Sequence, residues 1–312
     1  MQYLIIFAEK LKETMKTEFA IWMVSYLIRR GPDTQENIIN EWSKHINEDV
    51  EIHRNTFGNY RRKAEELFGT EISYNPGTKE YYIGDKDLIT HNAMYRWLLQ
   101  SVSASNVISR RSRLKDRIML ETSSGGEEFI EPITEAMEKG LCIEMVYQAF
   151  WDEPKERTVE PYYIKLFKHR WYLIGKRRDI GEFRTYCFDR IKSITVSNVR
   201  FKFKKEQNAE TLFYDYYGII QYPEEKEHVI IKVTCEQGMY IKTLPLHHSQ
   251  KLIHQDDDYM TFELYLKPCY DFLKELLSCG SELEVISPQS LRKKIKKYTE
   301  EMCEIYNPKD NG

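Results

Sequence analysis

Between residues 158 and 199, cations stand among aromatic rings where a purely structural strand would not place them. Lys165, His169, Arg177, Arg184 and Arg190 are interleaved there with Phe, Tyr and Trp. At a side-chain period of two, Arg184, Tyr186, Phe188 and Arg190 project from one face of a strand unless a bulge intervenes. Two guanidiniums beside aromatic rings make a site for an anion, because guanidinium bonds phosphate bidentately. Tyrosines can add hydroxyls or stack on a base. A second constellation precedes it. Asn55, Asn59, Arg62 and Glu66 recur at i, i+4, i+7 and i+11, opposite the apolar face of Phe57, Tyr60, Ala64, Leu67 and Phe68. Asn reads adenine and Arg reads guanine in a major groove, and Arg54 and Lys63 flank them as phosphate partners. Lys79, in the hairpin that follows, joins this set.

The elements that must hold these residues are legible at coarse scale. Residues 19–31 have the apolar breadth of a buried helix stopped at Gly31-Pro32, Thr34 heads a second helix, and a third runs around 53–69. Residues 72–74 and 80–83 read as a hairpin about Asn75-Pro76-Gly77-Thr78. Helices over 87–100 and 105–120 follow, the second carrying Arg110, Arg111, Arg113, Lys115 and Arg117, and Ser123-Ser124-Gly125-Gly126 reads as a flexible joint. A helix over 129–139 and strands over 142–150, 158–167, 170–178 and 183–199 make a small antiparallel sheet, with Gly181 in a tight hairpin. From 226 to 306, strands and helices suggest an α+β sandwich of ferredoxin-like type.

Glu160-Pro161, Trp171-Tyr172-Leu173 and Arg184-x-x-x-x-Asp189-Arg190-Ile191 together resemble the WYL domain of bacterial transcription regulators. The resemblance implies an Sm-like or SH3-like β-barrel over 130–205 that binds a negatively charged effector, often a nucleotide or nucleic acid. Residue by residue, it implies that Tyr147 is the family's first-strand Tyr, Tyr172 belongs to the signature, Arg184 and Arg190 are its paired arginines, and His169 takes its variable polar position. Helix, helix, basic helix and hairpin over 18–85 resemble a winged helix-turn-helix, joined to the barrel by a helical linker over 86–129. Pro245 to Gln250, and Glu284 to Pro288 with Leu291-Arg292, resemble the C-terminal extension that accompanies WYL domains. The expected fold is thus α+β and multidomain.

A net charge of −3 does not exclude a nucleic-acid partner, since a local basic face sets phosphate affinity. Residues 130–205 carry +5 while 206–312 carry −7, so an acidic tail masks a basic centre. Six scattered cysteines form no CxxC pair or zinc knuckle, and His247-His248 lacks a further ligand at metal spacing, so neither cofactor nor metal is expected. No apolar run is long enough to span a membrane, and the N-terminus lacks signal-peptide character, so a cytoplasmic protein is expected. No phosphate loop, dinucleotide fingerprint or nucleophile motif points to an enzyme. The expectation is a homodimeric regulator, a repressor, bound to an inverted-repeat operator in double-stranded DNA and switched by an anionic effector. In the family such regulators often guard antiphage defence loci. A nucleic-acid-binding accessory protein, or an enzyme of nucleotide metabolism using the barrel as a substrate clamp, is the alternative. An adaptor for an acidic partner is the third reading.

Overall fold

A helix that is apolar all round has to be buried. In the computed structural model, which describes residues 2–46, 52–110, 116–122, 124–203, 213–220 and 225–307, that stretch is the second half of α1 (Gln2–Arg30). Phe19, Met23, Val24 and Leu27 are fully buried, and Gly31 ends the helix by donating its N–H to Leu27 O. Then come β1 (Asp33–Thr34), α2 (Gln35–Ile46), α3 (Arg54–Phe68), β2 (Ile72–Asn75) and β3 (Glu80–Ile83). Thr34 caps α2, its Oγ1 accepting from Asn37 N at 3.3 Å. β1 pairs with β3, giving the order β1-β3-β2. Phe19 unites the core, its ring 5.3 Å from Trp42 and 6.1 Å from Phe57, both edge-on.

The next helices differ from expectation. α4 (Lys86–Thr90) is capped by Asp85 and ends early, and α5 (Ala93–Arg110) starts where Asn92 Oδ1 accepts from Tyr95 N. Ser105, where the second of the two expected helices was to start, therefore lies inside α5. Arg111, Arg113 and Lys115 of the expected basic helix, and Ser123 of the joint, lie outside the described residues.

Residues 1–121 form one compact unit and 122–312 a second. The second opens at Gly126, which is no free hinge. It is buried at φ +91°, and a Cβ there would stand 2.7 Å from the backbone carbonyl carbon of Phe188. α6 (Ile130–Lys139) then packs Ile133 and Ala136 against a sheet of β4 (Leu141–Tyr147), β5 (Lys155–Phe167), β6 (Arg170–Arg177), β7 (Phe183–Cys187) and β8 (Ile191–Arg200). The order is β7-β6-β5-β4-β8, antiparallel throughout.

That order dictates curvature. In a flat sheet β7 and β8 would lie four spacings, ~19 Å, apart. Only a 3₁₀ turn, Phe188–Arg190, joins them, and four residue steps reach at most ~14 Å. The sheet must curl to bring its edges together. A register shift at Pro161–Tyr163 in β5 supplies a bend, and Gln148 N donates to Arg190 O across the closure. The single strand expected over 183–199 is thus two strands broken at this turn. Between β5 and β6 the chain reverses through Lys168 (φ +46°) and His169 (φ +60°), the pair of positive φ values of a two-residue hairpin.

The chain ends in β9 (Glu227–Thr234), α7 (Cys235–Thr243), β10 (Lys251–Gln255), β11 (Tyr259–Leu266), α8 (Tyr270–Ser278), β12 (Leu283–Ser287) and α9 (Gln289–Tyr306). Sheet order is β10-β11-β9-β12, antiparallel. Val229, Ile231 and Val233 alternate inward from β9 onto Phe262 and Phe272.

A short segment, 213–220, staples the two sheets. Lys165 donates to Gly218 O and lies 3.9 Å over the Phe213 ring. Asp271 Oδ2 accepts from Ile219 N at 2.9 Å and Ile220 N at 3.0 Å. His247 Nε2 and His248 Nε2 both donate to Tyr214 O, at 2.8 and 2.7 Å. These histidines pack and bond rather than ligate, and Lys165 is structural, its ammonium lowered to about 8 by burial.

Candidate nucleic-acid interface and anion site

On α3, Phe57, Ala64 and Phe68 face the core, which leaves Arg54, Asn55, Asn59 and Arg62 exposed. Arg61 is taken by structure: its Nη1 donates to Ile72 O at 3.2 Å, and Glu65, 3.8 Å away, accepts from Ile72 N. This clamp fixes the hairpin beside the helix. Asn75 Oδ1 accepts from Gly77 N, and Lys79, at φ +61°, donates its N–H to Asn75 O. The result is a cleft of about 800 Å³ walled by α3 on one side and by Tyr74, Lys79 and Tyr81 of the hairpin on the other. It gathers Arg54, Asn55, Asn59, Arg62 and Lys79. Lys63 is elsewhere, 3.5 Å from Glu66 and 3.9 Å from Glu13 of α1. Arg62 Nη2 donates to Asn59 Oδ1 at 2.5 Å, so amide and guanidinium present one polar edge.

The second site lies where the curled sheet closes. β-pairing puts Tyr172 opposite Cys187, and Tyr147 OH accepts from Cys187 N at 3.3 Å. The 3₁₀ turn then brings Asp189 and Arg190 to the same place. Arg190 stacks its guanidinium 3.5 Å over the Phe150 ring and lies against the Tyr147 hydroxyl. Arg170 Nη1 donates to Asp189 Oδ2 at 2.7 Å. Tyr147, Tyr172 and Arg190 are therefore brought together, with Arg170, Phe150 and Asp189 added. Arg184 is not among them: it pairs opposite Gly175, on the other strand face from Cys187, and is bonded to Glu182. His169 is exposed at the β5–β6 turn. Arg177 is held by Asp179, whose carboxyl it keeps below the usual range.

Burial and then the Cys187 thiol push the Tyr172 hydroxyl up to about 12. Burial also raises Tyr147, opposed by Arg190, and raises the Cys187 thiol, reinforced by Asp189. At neutral pH the phenols and thiol stay protonated, and the two arginines supply positive charge that the Asp189 carboxylate between them offsets in part. Asp189 Oδ1 and Arg190 Nε are buried without a hydrogen-bond partner, although they form an ion pair with each other at 3.9 Å. The pair is too long for a hydrogen bond, so both atoms keep unused bonding capacity that a ligand could meet. Phe150 and, beside it, the 98% exposed Trp151 offer flat apolar surface at the rim.

Sequence reasoning missed Arg170, although it immediately precedes the Trp171-Tyr172-Leu173 signature. Its signal was the two-residue turn, which sends residue 170 back alongside the strand end that leads to Asp189. Among the described residues, no group of three or more His, Cys, Asp or Glu side chains could hold a metal ion. No described helix is long and apolar enough to cross a membrane.

Comparison with known proteins places names on this geometry. The profile of the WYL domain matches residues 128–196, and that of the WCX domain matches residues 225–303. A protein of Bacillus subtilis (strain 168) described as the uncharacterized HTH-type transcriptional regulator YobV is 21% identical over 250 residues, covering 78% of this chain and 76% of its own. Among solved structures, proteasome accessory factor B/C (PafBC) of Arthrobacter aurescens aligns over 90% of this chain at 18% identity and a TM-score of 0.33, and this chain spans 46% of it. A CRISPR Cas-related protein aligns over 99% of this chain and 92% of its own, at 11% identity and a TM-score of 0.39. The chain thus carries a WYL domain followed by a WCX domain, and it is similar to a protein described as a transcriptional regulator.

Proposed function

We propose that the protein is an effector-responsive, DNA-binding transcription regulator, with residues 18–85 acting as a winged helix-turn-helix. The observation that carries this is the cleft in which Arg54, Asn55, Asn59 and Arg62 of α3 meet Lys79 of the hairpin. A recognition helix with an adjoining wing needs such a wall of amides and guanidiniums with a cation at the hairpin. The curled sheet is read as the Sm-like or SH3-like barrel of the family, and the β10-β11-β9-β12 sheet as its ferredoxin-like extension. The chain acts as a two-fold dimer on an inverted repeat, since one reading head covers only a half-site. The effector is an anion seated between Arg190, Arg170, Tyr147 and Tyr172, with Phe150 and Trp151 placed to stack on a base, which favours a nucleotide or single-stranded nucleic acid. Its binding relieves promoter occupancy, so the protein works as a repressor.

The test is fluorescence anisotropy with duplex DNA from upstream of its own gene. The reading requires tighter binding there than to a scrambled duplex, and release by a nucleotide or short single strand that Arg190→Ala no longer answers. Equal affinity for both duplexes would remove the operator reading.

A further inference from the structure

Three arginines of the curled sheet and its turns have an acid each. Arg177 is held by Asp179, Arg178 lies 3.6 Å from Glu160, and Arg184 is bonded to Glu182. Arg170 and Arg190 instead share Asp189. Its Oδ2 accepts from Arg170 Nη1 at 2.7 Å, while its Oδ1 stands 3.9 Å from Arg190 Nε, beyond hydrogen-bond reach. The Asp189 side chain is 18% exposed, against 42% for Arg170 and 27% for Arg190. Solvent therefore reaches the two cations more readily than the anion between them.

A carboxylate seated on an anion site competes with whatever anion arrives. Asp189 is the chain neighbour of Arg190, so it occupies the arginines without losing translational freedom, at an effective concentration that a free ion does not match. A ligand with one phosphate that takes its place exchanges one negative charge for another. A ligand with two phosphates gives each guanidinium an oxyanion of its own, and both sets of charge-assisted bonds form. Asp189 is held loosely enough to yield, since Oδ1 has no hydrogen-bond partner. Arg190 stays in place when the carboxylate leaves, because its guanidinium rests 3.5 Å over the Phe150 ring and against the Tyr147 hydroxyl.

We infer that Asp189 is an internal counter-anion that an arriving ligand has to displace, so that the site passes over a lone phosphate and takes a ligand presenting two phosphate groups close together. A nucleoside diphosphate and a short single strand both carry that chemistry. Asp189 in this role sets a threshold: it lowers the affinity for every anion, and the ligands that still bind are those able to satisfy Arg170 and Arg190 together. The inference rests on the anion-site reading above, and it is tested without operator DNA.

Isothermal titration calorimetry on the full chain at neutral pH, with inorganic phosphate, pyrophosphate, ADP and a thymidine tetranucleotide, measures this. Wild type should bind pyrophosphate about tenfold or more tighter than inorganic phosphate, a comparison that needs no variant. Asp189→Asn keeps an acceptor for Arg170 and removes the charge, and should tighten both anions by about tenfold or more. Glu182→Gln removes an acid that serves Arg184 on the same sheet, and should leave both affinities unchanged, which separates displacement at the site from a change in net charge. ADP binding tighter than the tetranucleotide assigns the two phosphates to a free nucleotide, and the reverse order assigns them to a single strand; either supports the inference. Equal wild-type affinities for phosphate and pyrophosphate would overturn it, and so would an Asp189→Asn chain that folds and binds anions no tighter than wild type. If neither chain binds any of the four anions, the anion-site reading fails and the inference goes with it.

Discussion

Arg62 and Lys79 border one cleft but are expected to do different work. Arg62 is fixed by Asn59 on the face of α3, so Arg62→Ala should cost about 1–3 kcal/mol on the operator and relax preference at one base pair. Lys79 sits at the hairpin tip in a left-handed conformation, so Lys79→Ala should weaken every duplex alike and lower the salt slope by about one. Anisotropy on operator and scrambled DNA at several salt concentrations separates the two. In the second site, Arg170→Ala and Arg190→Ala should each abolish release by effector, while Arg184→Ala, bonded to exposed Glu182, should leave it intact. The residues that share the α3 cleft could be read from sequence because a helix period converts spacing into a face, with Lys63, turned to Glu66 and Glu13, the exception. The paired arginines could not, because the strand period used to align Arg184 with Arg190 fails across a 3₁₀ turn, and nothing in Phe188-Asp189-Arg190 announces one.

Elements were legible where periodicity was long and caps were explicit, as at Thr34, the hairpin about Asn75 and the alternation in β9. α7 escaped because Gly238 stands in its middle, a residue that argues against a helix. Its packing explains it: a Cβ there would lie 2.6 Å from Met260 Sδ, so only glycine lets α7 approach β11. The 213–220 segment was equally invisible, since its partners come from Lys165, His247, His248 and Asp271, all distant in sequence. It carries a pH dependence. Burial first, and then neighbouring His248, lower the His247 imidazole to about 4 from the ordinary 6.5. The folded form therefore holds His247 neutral, and as pH falls below about 6.5 the unfolded chain takes up the proton first. Stability drops progressively down to about pH 4, by up to about 3 kcal/mol. Urea unfolding at neutral pH and near pH 4.5 should show this loss, and His247→Asn should flatten it.

At the scale of the molecule, the glycine-rich joint pointed to two separate parts, and the chain divides into compact units at residue 121. What the joint's composition concealed is that Gly126 is packed rather than loose. Gly126→Ala places a methyl group against Phe188 at a positive φ, and should destabilise residues 122–312 by about 1–3 kcal/mol in thermal melts. The same contact has a mechanical side. Phe188 opens the three-residue turn whose other members, Asp189 and Arg190, belong to the proposed anion site, and Gly126 rests on the backbone of that turn. A ligand that draws Arg190 off the Phe150 ring pulls on a turn too short to absorb the movement. The recoil falls on Gly126, close to where the chain passes to residues 1–121, so the proposed anion site and the tether share one pivot.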